Sequence, residues 1–258
     1  MRLQSEKKVI VRDKIIGGPD LLICVPLVAE TQADLLAQAA DAVALGPDLL
    51  EWRIDGYGKA SDIDESLQVL RKLRATIQNV PLIFTCRIES EGGMQAIPRD
   101  IRLKLITEAI QSKMVDIVDV EMGNHPDFID EVAATVRHHD TRLIFSAHHF
   151  DATPEESVLY DTLFRARDMG ADIAKLAVMA GSSKDVLTLL GATWKARTTG
   201  LGIPMVTMAM RSQGTLSRLA GGLYGSDITF AVGKKASAPG QVPVDMLRQA
   251  MKVLYEDA

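Results

Sequence analysis

Ala171-Asp172-Ile173-Ala174-Lys175-Leu176-Ala177-Val178, between Gly170 and Gly181, is an apolar run with a lysine at its centre. Bounded in this way, it reads as a buried strand of a parallel sheet. Alternation along a strand puts Ile173, Lys175 and Ala177 on one face and Leu176 and Val178 on the other. A lysine there must bury its amine or neutralise it. Desolvation and a nearby cation both lower an amine's pKa, and a neutral lysine attacks carbonyls. The ordinary alternative is a lysine that snorkels or pairs with a carboxylate.

Outward from this strand the same unit repeats eight times. Strands are predicted at 21–25, 48–53, 81–87, 115–121, 142–148, 172–178, 204–210 and 226–231. Helices are predicted at 31–44, 62–77, 98–112, 126–139, 154–169, 183–197, 213–220 and 243–255. Thr31, Ser61, Thr153-Pro154 and Ser182-Ser183 supply start signals, and Val244, Leu247, Met251 and Leu254 form one apolar stripe on the last helix. Residues 7–16 read as a hairpin turning at Arg12-Asp13. Eight βα units point to a (β/α)8 TIM barrel, an α/β fold, with an N-terminal β-hairpin. No G-x-G-x-x-G follows the first strand, where Val25-Pro26-Leu27-Val28 stands, which argues against an open dinucleotide-binding sheet. No linker or charge block divides residues 1–258, so a single domain is expected.

Composition narrows the function. With 47% hydrophobic and 24% charged residues the chain can build a large core, and a net charge of −5 gives no reason to expect nucleic acid or an anionic membrane as partner. Cys24 and Cys86 lie in separate predicted strands and read as reduced core thiols. No run reaches the ~20 apolar residues of a membrane span, and the N-terminus lacks a signal-peptide pattern. A cytoplasmic protein is expected.

The informative feature is parity. Glu51 and Arg53 share a face with Leu49, Arg87 with Thr85 and Ile83, Asp119 and Glu121 with Ile117 and Val115, and His148 with Ser146 and Ile144. With Lys175 on the next strand, five successive strands carry charge on one face near their C-terminal ends. Outer faces of barrel strands pack on helices, so these charges should point into the mouth and form a pocket for a small hydroxylated anion. Structural ion pairs are the competing explanation. After the eighth strand comes Lys234-Lys235-Ala236-Ser237-Ala238-Pro239-Gly240-Gln241, where Ser237 and Gln241 could donate to an anion that Arg218 grips. By itself that loop also reads as an ordinary basic surface loop.

A neutral Lys175 attacking a ketone would form an iminium ion and acidify the adjacent C–H bond, with His148 as the base and Glu91 or Asp119 orienting its ring. His148 and His149 point to opposite faces, so a shared metal ion is not expected. His125 and His138-His139 fall at helix or cap positions and read as surface residues. Met208 and Met210 read as pocket wall or core.

At this point the chain resembles the type I 3-dehydroquinate dehydratases, which work through a Schiff base. The resemblance rests on Leu50-Glu51-Trp52-Arg53-Ile54-Asp55, Phe84-Thr85-Cys86-Arg87 with Glu91-Gly92-Gly93, Asp119-Val120-Glu121 and Ser146-Ala147-His148. It continues through Ala171 to Met179, Ser217-Arg218-Leu219-Ala220-Gly221 and Ser237-Ala238-Pro239-Gly240-Gln241. It implies Lys175 as the Schiff-base lysine and His148 as proton donor and acceptor, tuned by Glu91 and Asp119. Glu51, Arg53 and Arg87 would hold ring hydroxyls, and Arg218, Ser237 and Gln241 a carboxylate. The implied reaction is dehydration of 3-dehydroquinate to 3-dehydroshikimate in aromatic amino-acid biosynthesis, without metal or diffusible cofactor, in a homodimer. The chain departs from the pattern at His149, where aspartate is usual, at Pro26, and at Arg211-Ser212-Gln213-Gly214. Only His149 touches the catalytic neighbourhood. Two rivals are a lysine-dependent aldolase on the same barrel, which would need a phosphate nest in the last loops, and a non-catalytic binding protein that keeps the pocket.

Overall fold

A computed structural model describes residues 2–233 and 240–255 of the chain. It opens with an antiparallel hairpin, β1 (Val9–Val11) and β2 (Lys14–Ile16), which turns through Arg12 at φ 53°. There follow β3 (Leu22–Leu27), α1 (Gln32–Ala44), β4 (Leu49–Arg53), α2 (Ile63–Ile77), β5 (Leu82–Thr85), α3 (Arg99–Gln111), β6 (Ile117–Glu121) and α4 (Pro126–Arg137). The second half holds β7 (Arg142–His149), α5 (Glu156–Asp168), β8 (Ile173–Met179), α6 (Ser183–Thr198), β9 (Met205–Met210), α7 (Thr215–Ala220), β10 (Ile228–Val232), β11 (Val242–Pro243) and α8 (Val244–Tyr255). The strands order as β11-β10-β3-β4-β5-β6-β7-β8-β9, every neighbour parallel, and curl into an α/β TIM barrel. The two-residue β11, paired beside β10, was not predicted; it is too short to carry a periodic signal.

Two apolar layers explain the curl. Leu50, Trp52, Phe84, Val118, Phe145 and Leu176 point outward and pack on the helices. Leu49, Ile83, Ile117, Ile144, Ile173 and Val206 point inward and form a second cluster with Val9, Val11 and Ile16 of the hairpin. The hairpin therefore plugs the N-terminal end of the barrel, and the charged strand ends are left to the other end. Val115, expected inside, packs with the outer layer, because β6 begins only at Ile117.

Helix starts follow cap chemistry, worth about 1 kcal/mol each. Thr31 accepts from the Asp34 N–H at 3.2 Å, and Ser182 forms a reciprocal capping box with Asp185. Asp62, not Ser61, caps α2, and Thr153 donates to the Met179 carbonyl instead of capping α5, which starts at Glu156. The predicted seventh helix is only Thr215–Ala220, with a 3-10 turn on either side. Ser217 Oγ donates to the Gly214 carbonyl and accepts the Ala209 N–H, tying this short helix to β9. On α8, Val244 and Leu247 are buried, but Leu254 is exposed, so the predicted stripe fades toward its end.

The barrel closes between β9 and β10 without a regular ladder. Asp227 N–H donates to the Met205 carbonyl at 2.7 Å, its carboxylate accepts the Met205 N–H at 2.7 Å, and Ser226 Oγ accepts the Thr207 N–H at 3.1 Å. The buried Asp227 carboxylate also pairs with Arg197, at 2.5 Å, and with Arg2. Asp227→Asn leaves two buried guanidinium groups short of a counter-charge at the seam. It is expected to cost about 3–5 kcal/mol, read as a lower midpoint in urea unfolding; an unchanged midpoint would remove Asp227 from the closure.

Candidate active site

The strand ends opposite the hairpin converge on a cavity of about 110 Å³. Its wall includes Glu51 and Arg53 from β4, Arg87 beyond β5, His148 from β7, Lys175 from β8, and Arg218 from α7. Glu91, Phe150, Met208, Met210, Phe230 and Gln241 complete its rim and floor. Ser146 pairs with Lys175 and Ala177 with His148, so the lysine and the histidine lie on neighbouring strands, one pleat repeat apart and on the same face.

Lys175 is 5% exposed. Its Nζ donates to Asp119 Oδ2 at 2.6 Å and to Glu51 Oε1 at 3.2 Å, and lies 4.6 Å from the centre of the Phe230 ring. The carboxylate pairing that offers an ordinary account of a buried lysine is thus present, in a pocket that also holds an imidazole. Asp119 accepts from Ser146 Oγ at 2.6 Å and pairs with Arg87 Nη2 at 2.9 Å. Burial would push its carboxyl up, but Arg87 and Lys175 hold it far below the usual range.

His148 Nδ1 lies 2.9 Å from Glu91 Oε2, and the same oxygen accepts the His148 backbone N–H at 3.0 Å. Burial, reinforced by the charges of Arg87 and Lys175, lowers the imidazole well below its ordinary pKa. Burial, then the negative charge of Glu121, pushes Glu91 up to about 7. With Nδ1 held by Glu91, Nε2 is the ring nitrogen left for the cavity. Gly92, at φ 83°, makes room for this: a Cβ there would sit 2.3 Å from the ring of Phe150, which stacks on His148.

Arg218 is 1% exposed. Its Nη1 donates to the Phe230 carbonyl at 3.3 Å, while Nε and Nη2, which form one edge of the fork, have no partner among the described residues. Burial lowers it to about 10, so it stays cationic at neutral pH. A buried guanidinium with one open edge fits a carboxylate held by two parallel hydrogen bonds.

A larger cavity, about 690 Å³, lies at the opposite end and includes Lys113, Arg137, His138 and Arg142 in its wall. Lys113 follows α3 and Arg137 ends α4, where cations complement the negative end of the helix dipole. That geometry accounts for these two without a ligand. Among the described residues no three His, Cys, Asp or Glu side chains group to hold a metal ion. No helix among them is long and apolar enough to cross a membrane.

The family described as type I 3-dehydroquinase matches residues 23–258. The chain belongs to that family. It is 40% identical to the 3-dehydroquinate dehydratase of Aromatoleum aromaticum, over 93% of this chain and 92% of that one. The crystal structure of the Geobacillus kaustophilus 3-dehydroquinate dehydratase superposes with a TM-score of 0.94 at 41% identity, covering 98% of each chain. The type I enzyme of Clostridium difficile, solved with covalently modified comenic acid, superposes at 0.93 with 36% identity, over 97% of this chain and 98% of that one. By family it is a hydro-lyase.

Within this family frame the residues expected from sequence gather at one mouth, with three qualifications. Ser237 lies outside the described residues. Arg87 reaches the cavity, but its fork is spent on Asp119, Glu121 and Ser146, so what it offers is chiefly charge. Asp119 bonds Lys175, Ser146 and Arg87, and acts on the His148 ring through its field while Glu91 holds Nδ1. His149 is half-buried on the far face of β7 and does not line the cavity; its Nε2 is buried without a partner among the described residues. Sequence reasoning missed Asp55, which grips Arg53 with both oxygens at 2.9 and 2.7 Å and takes the Arg87 and Met94 N–H groups. An aspartate two residues after an inward arginine was the available signal. Phe150 and Phe230 gave none.

Proposed function

We propose that this chain dehydrates 3-dehydroquinate to 3-dehydroshikimate through an imine on Lys175, with His148 moving the proton, as a step of aromatic amino-acid biosynthesis. What carries the reading is one cavity that holds a buried amine, an imidazole on the adjacent strand and the open edge of Arg218. Arg218 and Gln241 take the substrate carboxylate, with Ser237 as a further donor. Glu51 and Arg53 take ring hydroxyls, and the fixed charge of Arg87 sets the potential around them. Lys175 gives its proton to a neighbouring base and attacks the ketone; water leaves and an iminium ion remains. His148 Nε2 then takes the proton from the adjacent carbon, and the C–H electron pair moves into an enamine. The same imidazolium protonates the departing hydroxyl, which leaves as water. A second water hydrolyses the iminium ion and frees the lysine. Asp119 lies beside the amine and stabilises each cationic form it passes through.

Covalent modification recorded for the Clostridium difficile relative is in keeping with such chemistry. A lysine-dependent aldolase would use the same amine, but the fork of Arg218 favours a flat carboxylate over a phosphate nest. The test is borohydride reduction in the presence of 3-dehydroquinate, followed by peptide mass analysis. A stable adduct on Lys175 is expected; an adduct on another residue, or none while turnover continues, removes the imine.

A pH effect follows from Glu91. Below about 7 its carboxyl keeps its proton and donates a hydrogen bond to Nδ1, so the single proton of the neutral imidazole sits on Nε2 and blocks the base. Above that, the carboxylate accepts Nδ1–H and Nε2 is free. The kcat/KM should therefore rise with pH through about 7, and Glu91→Gln should erase that limb. A limb that survives in the variant belongs to another group.

The same reading takes residues 1–258 as one barrel domain working in the cytoplasm as a homodimer. Leu187 and Trp194, seven residues apart on α6 and both exposed, supply apolar surface that pairing would cover. The mass in solution checks it.

A further inference from the structure

Glu121 ends β6, is fully buried, and takes no part in the steps above. Its carboxylate accepts four donors: Arg87 Nη1 at 2.9 Å, the Ile88 N–H at 3.1 Å, Arg102 Nη2 from α3 at 3.2 Å and Asn124 Nδ2 at 2.9 Å. Ile88 caps the single 3-10 turn Glu89–Glu91 and accepts the Glu91 N–H at 3.0 Å. Glu121 therefore grips the root of the turn that carries Glu91. The contact is closed from the other side as well. Glu91 Oε1 lies against Gly123, two residues after Glu121, where a Cβ would come within 3.2 Å.

We propose that Glu121 is a positioning residue for the Glu91–His148 pair, holding the turn in place and deciding, by its negative charge, where their shared proton resides. The proposal rests on the reading of His148 as the base. The charged groups facing Glu91 are Arg87 beyond β5, Asp119 and Glu121 from β6, and His148 from β7. Of these charges, Glu121 acts most strongly on Glu91, ahead of Arg87. A second carboxylate at close range favours the protonated form of the first. Arg102 stands on the far side of Glu121, also stacked 5.0 Å over Phe128, and partly offsets that charge.

The test needs no turnover. In enzyme with 15N-labelled histidine, the His148 ring nitrogens, assigned by their loss in His148→Asn, are followed across pH. Glu121→Gln should move the inflection of the pair down by about one pH unit. Arg102→Met, which keeps the packing on Phe128 and removes the offsetting cation, should move it up. Shifts in opposite directions support the assignment. An inflection that stays in place in both, even with kcat reduced, makes Glu121 a scaffold only and overturns it. If Glu121→Gln does not fold, the upward shift in Arg102→Met decides alone. Turnover of 3-dehydroquinate is measured separately on the unaltered protein. Its absence would remove the functional reading, while the titration alone would still decide the role of Glu121.

Discussion

Lys175→Ala should lower turnover of 3-dehydroquinate by about 10⁴-fold or more, the scale seen when a nucleophile is removed from a group acting as a unit. Among the described residues no neighbour can substitute. The cations near Lys175 in the mouth are there Arg53, Arg87 and Arg218, and a guanidinium does not give up its proton to become a nucleophile. Alanine also removes the cation paired with Glu51 and one of the two paired with Asp119, so the variant loses stability as well as chemistry. Lys175→Arg separates the two effects. It keeps a cation beside the two carboxylates and cannot form an imine, so it should fold, as judged by near-ultraviolet circular dichroism, and remain inactive. If Lys175→Arg turns over within tenfold of the unaltered enzyme, covalent catalysis is wrong.

Second in size is His148→Ala, with a loss of about 10²–10⁴-fold in kcat, the usual contribution of a positioned acid or base. The two losses should differ in kind. The amine of Lys175 is untouched in this variant, so the imine still forms and then waits for a base. Intact-protein mass analysis should find the substrate adduct accumulating on Lys175 without any reductant. Imidazole added to the buffer should restore part of the rate. Normal turnover with an unaltered pH profile would take His148 out of the mechanism.

Much of this site was legible in one dimension, for a definite reason. Side chains alternate along a strand, so charges at Glu51, Arg53, Asp119, His148 and Lys175 had to share a face with inward apolar residues such as Leu49 and Ile144. Helices must cover the other face, and parallel strands joined by helices must stand in order. Local order alone therefore implied a barrel with a charged mouth. Strand ends were less legible. Arg87 was expected within a strand, but β5 stops at Thr85, because side chains take over from the ladder: Asp55 accepts the Arg87 N–H and Glu121 the Ile88 N–H. Closure at Asp227 gave no periodic signal either, since it depends on Arg2 and Arg197, which are far away along the chain.

By itself, then, the sequence determined the barrel, the face each charge occupies, and the family to which those residues point. Tertiary structure alone decided who pairs with whom: Lys175 with Asp119 and Glu51, His148 with Glu91, Arg53 with Asp55, and Glu121 between two arginines. Those pairings set which proton sits where. They could not be read earlier because the interaction of two charges depends on their separation and on the water between them. Glu91 and His148, 57 residues apart in the chain, meet only when the turn after β5 folds across the mouth.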